Sequence, residues 1–314
     1  MLQHTPDLGT SSTWKPLRWD SFPARLYRKG KRLTWDPEAI DFSHDAHDWI
    51  TMSEAEQKIV LQMVAIFAEG EGAVTTHLTP LLLRIGNQGQ REEELYLTQF
   101  LYDEANHVEG FDRFLAAVAP NTDLYTLQTP SSRFLFDQEL PATMANLLLD
   151  DSLEALAIAS ATYNMIMEGV VAETGYHTWR TMLGSRGLMP GMQKLVLHIS
   201  TDEARHIAFG LHLLGRLIRQ TPELLPVVRK RMKLLLTPAL RMLQDLFQSF
   251  PQGSGFQLSP MSSIQFALRQ FGFRMQALER TAVGVDIAHA LAQEVCLHSD
   301  RAENEAHLRL ASVD

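Results

Sequence analysis

Apolar positions recur along most of the chain three and four residues apart, and β-alternation is nowhere sustained. Ser53 followed by Glu56 has the form of a capping box and opens a helix running to about Arg84. The turn Gly86-Asn87-Gln88-Gly89 separates it from a second helix ending near Pro120, and Pro130 and Pro141 bracket a shorter helical piece. A third long helix is expected from about Ser152 to Leu183 and a fourth from Pro190 to about Gln220. A fifth should run from about Pro222 to Phe250 with a kink at Pro238. After the loop Pro251-Gln252-Gly253-Ser254-Gly255, helix resumes near Ser263. Residues 1–50, with Pro6, Pro16, Pro23 and Pro37, read as an irregular segment packed on a helical domain at 51–298, and 299–314 as a frayed polar tail. The class is all-α. There is no βαβ rhythm and no Walker loop, and Gly253-Ser254-Gly255 lacks the third glycine of a dinucleotide fingerprint.

Charged residues interrupt several of these apolar faces. The second helix carries Leu97, Leu101, Val108, Phe111 and Leu115 as a stripe, and Glu104 and His107 fall inside it. The fourth shows Met192, Val196, Ile199, Ile207, Gly210 and Leu214, interrupted by Glu203 and His206. In the first, Glu71 occupies the slot between Phe67 and Val74 in the seam Val60, Met63, Phe67, Val74, Leu78. Glu69 lies about 200° around that helix from Glu71 and points elsewhere. The third helix is apolar nearly all round, the mark of a buried central helix, and Glu168 continues its line Ile158, Ala161, Met165.

A buried unpaired carboxylate neutralises, pairs or binds a metal. The third helix offers no Lys or Arg before Arg180, so pairing with cations is not available to Glu168 from its own helix. Glu104-x-x-His107 and Glu203-x-x-His206 each put a carboxylate and an imidazole on one helix face. One such spacing arises by chance roughly once in a chain of this composition. Two of them, following Glu71 by 33 residues and Glu168 by 35, repeat one arrangement in two halves. Four carboxylates and two imidazoles are the ligand set of a di-iron or di-manganese carboxylate bundle. Asp202, next to Glu203, is placed to accept the free ring N–H of a ligating histidine. Trp35 reads on sequence alone as a packing residue. His77, His177, His198 and His212 have no comparable company and read as surface or packing residues, and Met165 and Met167 as core filler.

Composition sharpens this picture by exclusion. The 314 residues carry a net charge of −9 and one cysteine, Cys296. That rules out an intramolecular disulfide framework and a multi-cysteine zinc or iron–sulfur site, and the acidic balance argues against a nucleic-acid binder. The run Arg229, Lys230, Arg231, Lys233 reads as a solvated helix face. The first twenty residues lack the apolar stretch of a secretory signal, and no uninterrupted apolar run approaches 18 residues. A soluble, cytoplasmic protein with no membrane span is expected.

The series Glu71…Glu104-x-x-His107…Glu168…Asp202-Glu203-x-x-His206 resembles the small subunit of class I ribonucleotide reductase and its relatives, from about Trp35 to beyond Pro238. The fold implied is a ferritin-like helical bundle with additional helices. Two features separate the chain from a reductase. The usual radical-tyrosine position, four residues after the first histidine, is Phe111, a residue also found in the metal-radical subclass. No Tyr or Trp follows Trp179 to relay a radical near the C-terminus. The chain is more similar to the ribonucleotide-reductase-like ligand-binding oxidases, which pair manganese with iron. Their pattern matches here in Glu71-Gly72-Ala73-Val74, Tyr163-Asn164-Met165-Ile166-Met167-Glu168-Gly169, Tyr96-Leu97-Thr98-Gln99-Phe100, Thr174-Gly175-Tyr176 and Pro190-Gly191-Met192-Gln193.

That resemblance implies manganese at Glu71, Glu104 and His107, and iron at Glu168, Glu203 and His206, although Fe/Fe suits the same ligands. It implies that Trp35, Asp202 and His107 form a connected chain beside the metals. It also implies an ether bond between Val74 and Tyr163, a long-chain fatty acid in a hydrophobic tunnel, and a homodimer. The expected activity is O2-dependent two-electron oxidation of a C–H bond in a fatty-acid-like ligand. A reductase small subunit of the metal-radical type, or a non-catalytic metal or fatty-acid binding protein, are the alternatives.

Overall fold

Proline breaks a helix from within but starts one well, because its missing N–H falls where a first-turn N–H has no partner in any case. The computed structural model, which describes residues 16–250, 255–256 and 258–285, applies that rule in the segment expected to be irregular. α1 (Phe22–Leu33) has Pro23 in its first turn. A 3-10 turn starting at Pro37 then leads to α2 (Ser43–Thr51). The expectation of an irregular first fifty residues is therefore corrected from Phe22 onward.

The capping box forms in both directions between Ser53 and Glu56 and opens α3 (Glu54–His77). Leu78 interrupts the run, and α4 (Thr79–Asn87) restarts with Pro80 in its first turn, so the single helix expected to Arg84 is two. α5 (Arg91–Val118) follows. Next come α6 (Pro130–Arg133), a π-helical turn Phe134–Glu139 and α7 (Leu140–Ala145). α8 (Leu153–Ser160), a π-helical stretch Ala161–Ala172 and α9 (Glu173–Gly184) join into one 32-residue helix. α10 (Pro190–Gln220), α11 (Leu224–Ser249) and α12 (Pro260–Ala282) complete the order, α11 running through Pro238. Among the described residues every regular element is helical. The loop residues 251–254, Cys296 and the tail 299–314 lie outside them.

Two helix pairs make the ferritin-like bundle. α3 packs on α5, the Leu153–Gly184 helix packs on α10, and α10 also touches α5. α11 and α12 cover the other side of the central helix. The Glu54–Asn87 and Leu153–Gly184 segments are long and apolar enough to cross a membrane, but 89% of the apolar window of the central helix is buried inside the protein. Its hydrophobicity is thus satisfied by its neighbours.

The ends and bends of the site helices are fixed from outside. α10 has no side-chain cap of its own, and Met189 before it sits at φ 52°. Buried Asp48 of α2 accepts from the Met189 N–H at 2.6 Å, and Asp45 accepts from Gly191 and Met192 at 2.9 and 2.7 Å. The π stretch, which the α-helical period did not anticipate, packs Asn164 directly onto Gly210 of α10. A Cβ at position 210 would lie 2.2 Å from the Asn164 Cβ. Because that neighbour atom is next to the backbone, Gly210→Ala is expected to destabilise the fold by about 1–3 kcal/mol. Denaturant titration of the two proteins measures it.

Candidate metal centre

The four bundle helices deliver their odd polar residues to one place. α3 brings Glu71, α5 brings Glu104 and His107, the π stretch brings Glu168, and α10 brings Glu203 and His206. All six are buried. They form two overlapping groups, Glu71–Glu104–His107–Glu203 and Glu104–Glu168–Glu203–His206, whose ligand atoms lie within 4.8 Å of one another. Glu104 and Glu203 belong to both, as bridging carboxylates between two adjacent ions would. Nδ1 of His107 lies 3.2 Å from Glu71 and 3.4 Å from Glu104. Nδ1 of His206 lies 3.1 Å from Glu104 and 3.6 Å from Glu168. Glu104 Oε2, Glu168 Oε1, Glu203 Oε2 and His206 Nδ1 are buried without any hydrogen-bond partner. Orphaned oxygens and an imidazole nitrogen converging in this way fit a pair of cations.

The far nitrogens of both histidines are held reciprocally across the bundle. Asp202 of α10 lies 3.2 Å from Nε2 of His107 on α5, and Asp103 of α5 lies 3.4 Å from Nε2 of His206 on α10. Arg205 ties the two aspartates together, donating to Asp103 at 2.9 Å and to Asp202 at 2.5 Å. The Trp35 indole N–H donates to Asp202 at 2.8 Å, so the expected connection of Trp35, Asp202 and His107 is present. Gln99 donates to Asp103 at 2.8 Å.

With this geometry in place, the sequence comparison is decisive: residues 11–253 match the family described as ribonucleotide reductase, small chain. The chain belongs to that family. Among solved structures it is similar to an R2-like ligand-binding oxidase with aerobically reconstituted Mn/Fe cofactor, at 32% identity and a TM-score of 0.79, over 82% of this chain and 93% of that one. An R2-like ligand-binding oxidase with aerobically reconstituted metal cofactor after photoconversion matches with the same identity and TM-score, over 82% of this chain and 94% of its own.

A small-chain site of this kind concentrates negative charge. Burial pushes Glu71 and Glu203 up to about 8, and burial also raises Glu168. Burial acts the same way on Glu104, but the imidazoles of His107 and His206 close beside it outweigh burial and hold that carboxyl below its ordinary value. The histidines respond in kind. Burial alone would lower them, yet Glu71, Asp202 and Glu104 around His107, and Asp103, Glu104 and Glu168 beside His206, keep both well above the usual range. On protein charges alone, protons on the imidazoles and carboxyls offset the negative charge that metal ions would otherwise neutralise.

An apolar cavity opens on this cluster. Its walls include Met63, Phe67, Met167, Val171, Met242 and Leu246, and its lining also carries Glu71, Glu104, Glu168 and Glu203. Val74, one turn beyond Glu71, lines it too. The Tyr163 hydroxyl donates to Glu104 at 3.3 Å and the Tyr176 hydroxyl to Glu203 at 3.4 Å. Glu69 stays outside the cluster, as its helical angle requires. Three other histidines are occupied elsewhere: His212 on Glu93, His177 stacked on Phe266, His198 stacked on Trp35.

Sequence reasoning passed over Asp103, Arg205 and Asn164. Asp103 was legible, because Asp103-Glu104-Ala105-x-His107 and Asp202-Glu203-Ala204-x-His206 repeat one another with an aspartate leading each, whereas Arg205 stands where the two differ. Asn164, which accepts from Ser160 and donates to Glu168 at 3.0 Å, acts within the π stretch and left no comparable trace.

Two outcomes follow from this electrostatic and hydrogen-bonded frame. Asp103→Asn removes the charge behind His206 and should weaken metal binding about 10–100-fold with the helical content retained, as metal titration and circular dichroism would show. Metal binding at pH 7 should expel protons from Glu71, Glu203 and both imidazoles, so affinity rises with pH up to about 8. Calorimetry in buffers of different ionisation enthalpy counts those protons.

Proposed function

We propose that the chain is an O2-dependent Mn/Fe oxidase that performs two-electron C–H oxidation on a hydrophobic, fatty-acid-like ligand. The observation that carries this reading is the apolar cavity whose lining carries four buried glutamates. Glu71, Glu104 and His107 would hold manganese and Glu168, Glu203 and His206 iron, with Fe/Fe accepted by the same donors. When bound, the metal pair supplies the reduction of O2 and a strong oxidant in a water-poor site.

The chain's own residues set the conditions for that chemistry. Met63, Phe67, Met167, Val171 and Leu246 exclude water and fit an alkyl chain. Among the described residues no Lys or Arg lines the cavity, so none of these side chains competes with the metal ions for an anionic head group. Asn164 and Tyr176 orient Glu168 and Glu203. The Tyr163 phenol, raised well above its usual value by burial and by Glu104, keeps its proton in the resting site. Joining Val74 to Tyr163 as an ether removes one C–H hydrogen and one O–H hydrogen, and O2 accepts the two electrons. The same reading includes a homodimer working in the cytoplasm.

Loading the protein with Mn(II) and Fe(II) in air should consume O2, and mass spectrometry should find the Val74 and Tyr163 peptides joined and lighter by two hydrogens. Tyr163→Phe should abolish the link while leaving metal uptake within about a factor of ten, since Tyr163 is not a ligand. Oxygen uptake without any link would remove the internal cross-link from this account. No oxygen uptake would leave a storage or sensing protein.

A further inference from the structure

The acidic chain, with net charge −9, carries in α1 a helix of the opposite character. α1 contains Arg25, Arg28, Lys29, Lys31 and Arg32 and no acidic residue. Its apolar side, Pro23, Ala24, Leu26 and Gly30, is buried, while Arg25, Arg28, Lys31 and Arg32 are exposed at helical spacing. Among the described residues Arg28, Lys31 and Arg32 take part in no ion pair, although Lys31 lies over the Tyr27 ring. The second basic run behaves differently: Arg229 pairs with Glu279, and Arg231 pairs with Glu139. Lys31 and Arg32 suit the negative end of their own helix, but Arg25 and Arg28 lie too early in it to serve that purpose.

This bare cationic face lies directly over the groups that hold the histidines. Gly30 lets the α1 backbone meet Gln99 and Arg205; a Cβ there would fall 2.8 Å from Gln99 and 3.6 Å from Arg205. Two residues past the helix, Trp35 donates to Asp202, which lies 3.2 Å from His107. Half-buried His198 stacks on that indole at 4.9 Å, and exposed Lys194 and Leu197 precede it on α10. Here the hydrogen-bonded route His107–Asp202–Trp35 from the candidate metal centre runs beneath the basic helix.

We propose that the exposed basic face of α1, with Lys194 and Leu197, is the docking surface for an acidic one-electron carrier protein. The proposal rests on the oxidase reading and adds the source of its reducing equivalents. Reduction of O2 to two waters takes four electrons and four protons. Oxidation of one C–H substrate by two electrons yields two of each, so two further electrons and two protons must enter in every turnover. Two reduced carriers, each oxidised by one electron, balance the reaction. A small, charge-steered interface is what transient redox partners use.

The test uses the protein loaded with manganese and iron and oxidised in air, with reduced ferredoxin, an acidic iron–sulfur carrier, as the probe. The native chain should be re-reduced at a rate that falls steeply with added salt. The triple variant Arg28→Glu, Lys31→Glu, Arg32→Glu should be re-reduced roughly tenfold more slowly or less, and with little salt dependence. The neutral variant Arg28→Gln, Lys31→Gln, Arg32→Gln should fall between them, and dithionite should reduce all three alike. Ferredoxin that reduces the native chain no faster than the triple variant overturns the proposal. So does a variant that loses binding to phosphatidylglycerol vesicles while its ferredoxin rate is unchanged, which would make the face a membrane contact. The oxidase reading fails separately, if dithionite-reduced protein takes up no O2.

Discussion

An isolated carboxylate taken out of water costs several kcal/mol even after the protein relaxes around it, and Glu71, Glu104, Glu168 and Glu203 are all taken out of water at one spot. The buried guanidinium of Arg205 is engaged by Asp103 and Asp202. Burial, with the neighbouring carboxylates, pushes Glu71 and Glu203 up to about 8, which is the response of a cluster lacking its own cations. Two divalent ions would neutralise four carboxylates without lysine or arginine, and the orphaned oxygens already converge on where such ions would sit. That electrostatic demand explains why the surrounding helices must be long, well packed and held at both ends.

The packing answers it through reciprocity. Each Asp-Glu-x-x-His helix offers its histidine to the cluster and its aspartate to the histidine of the other, so α5 and α10 fix each other's ligands. Arg205 links both aspartates, which makes the support a single unit. The symmetry is broken where function would need it to be. Asp202 carries the indole of Trp35, whereas Asp103 carries the amide of Gln99. The π stretch adds a third constraint, since its wider turn sets Asn164 against Gly210 and directs its amide to Glu168.

Much of this was legible in the sequence because the anomalies were polar residues on apolar faces. Glu104 and His107 stand out from Leu97, Leu101 and Phe111 whatever the tertiary structure is. The all-α class and the long helices follow from the same period. The boundaries were less accessible. Pro23 starts α1 and Pro37 a 3-10 turn, where a breaker reading expects irregular chain, and α2 beyond them caps α10 through Asp45 and Asp48. Nor could a 3.6-residue period reveal the π register of Ala161–Ala172, which is decided by the close approach of another helix. The cavity is likewise a product of packing, its walls drawn from α3, α9 and α11 together with the π segments.

The central claim is that two metal ions neutralise the four glutamates. Anomalous diffraction from crystals of the metal-loaded protein, collected on either side of the manganese and iron edges, tests it most directly. The account predicts two peaks per chain, one among Glu71, Glu104, His107 and Glu203 and the other among Glu104, Glu168, Glu203 and His206. A single ion, or peaks away from those residues, would contradict it.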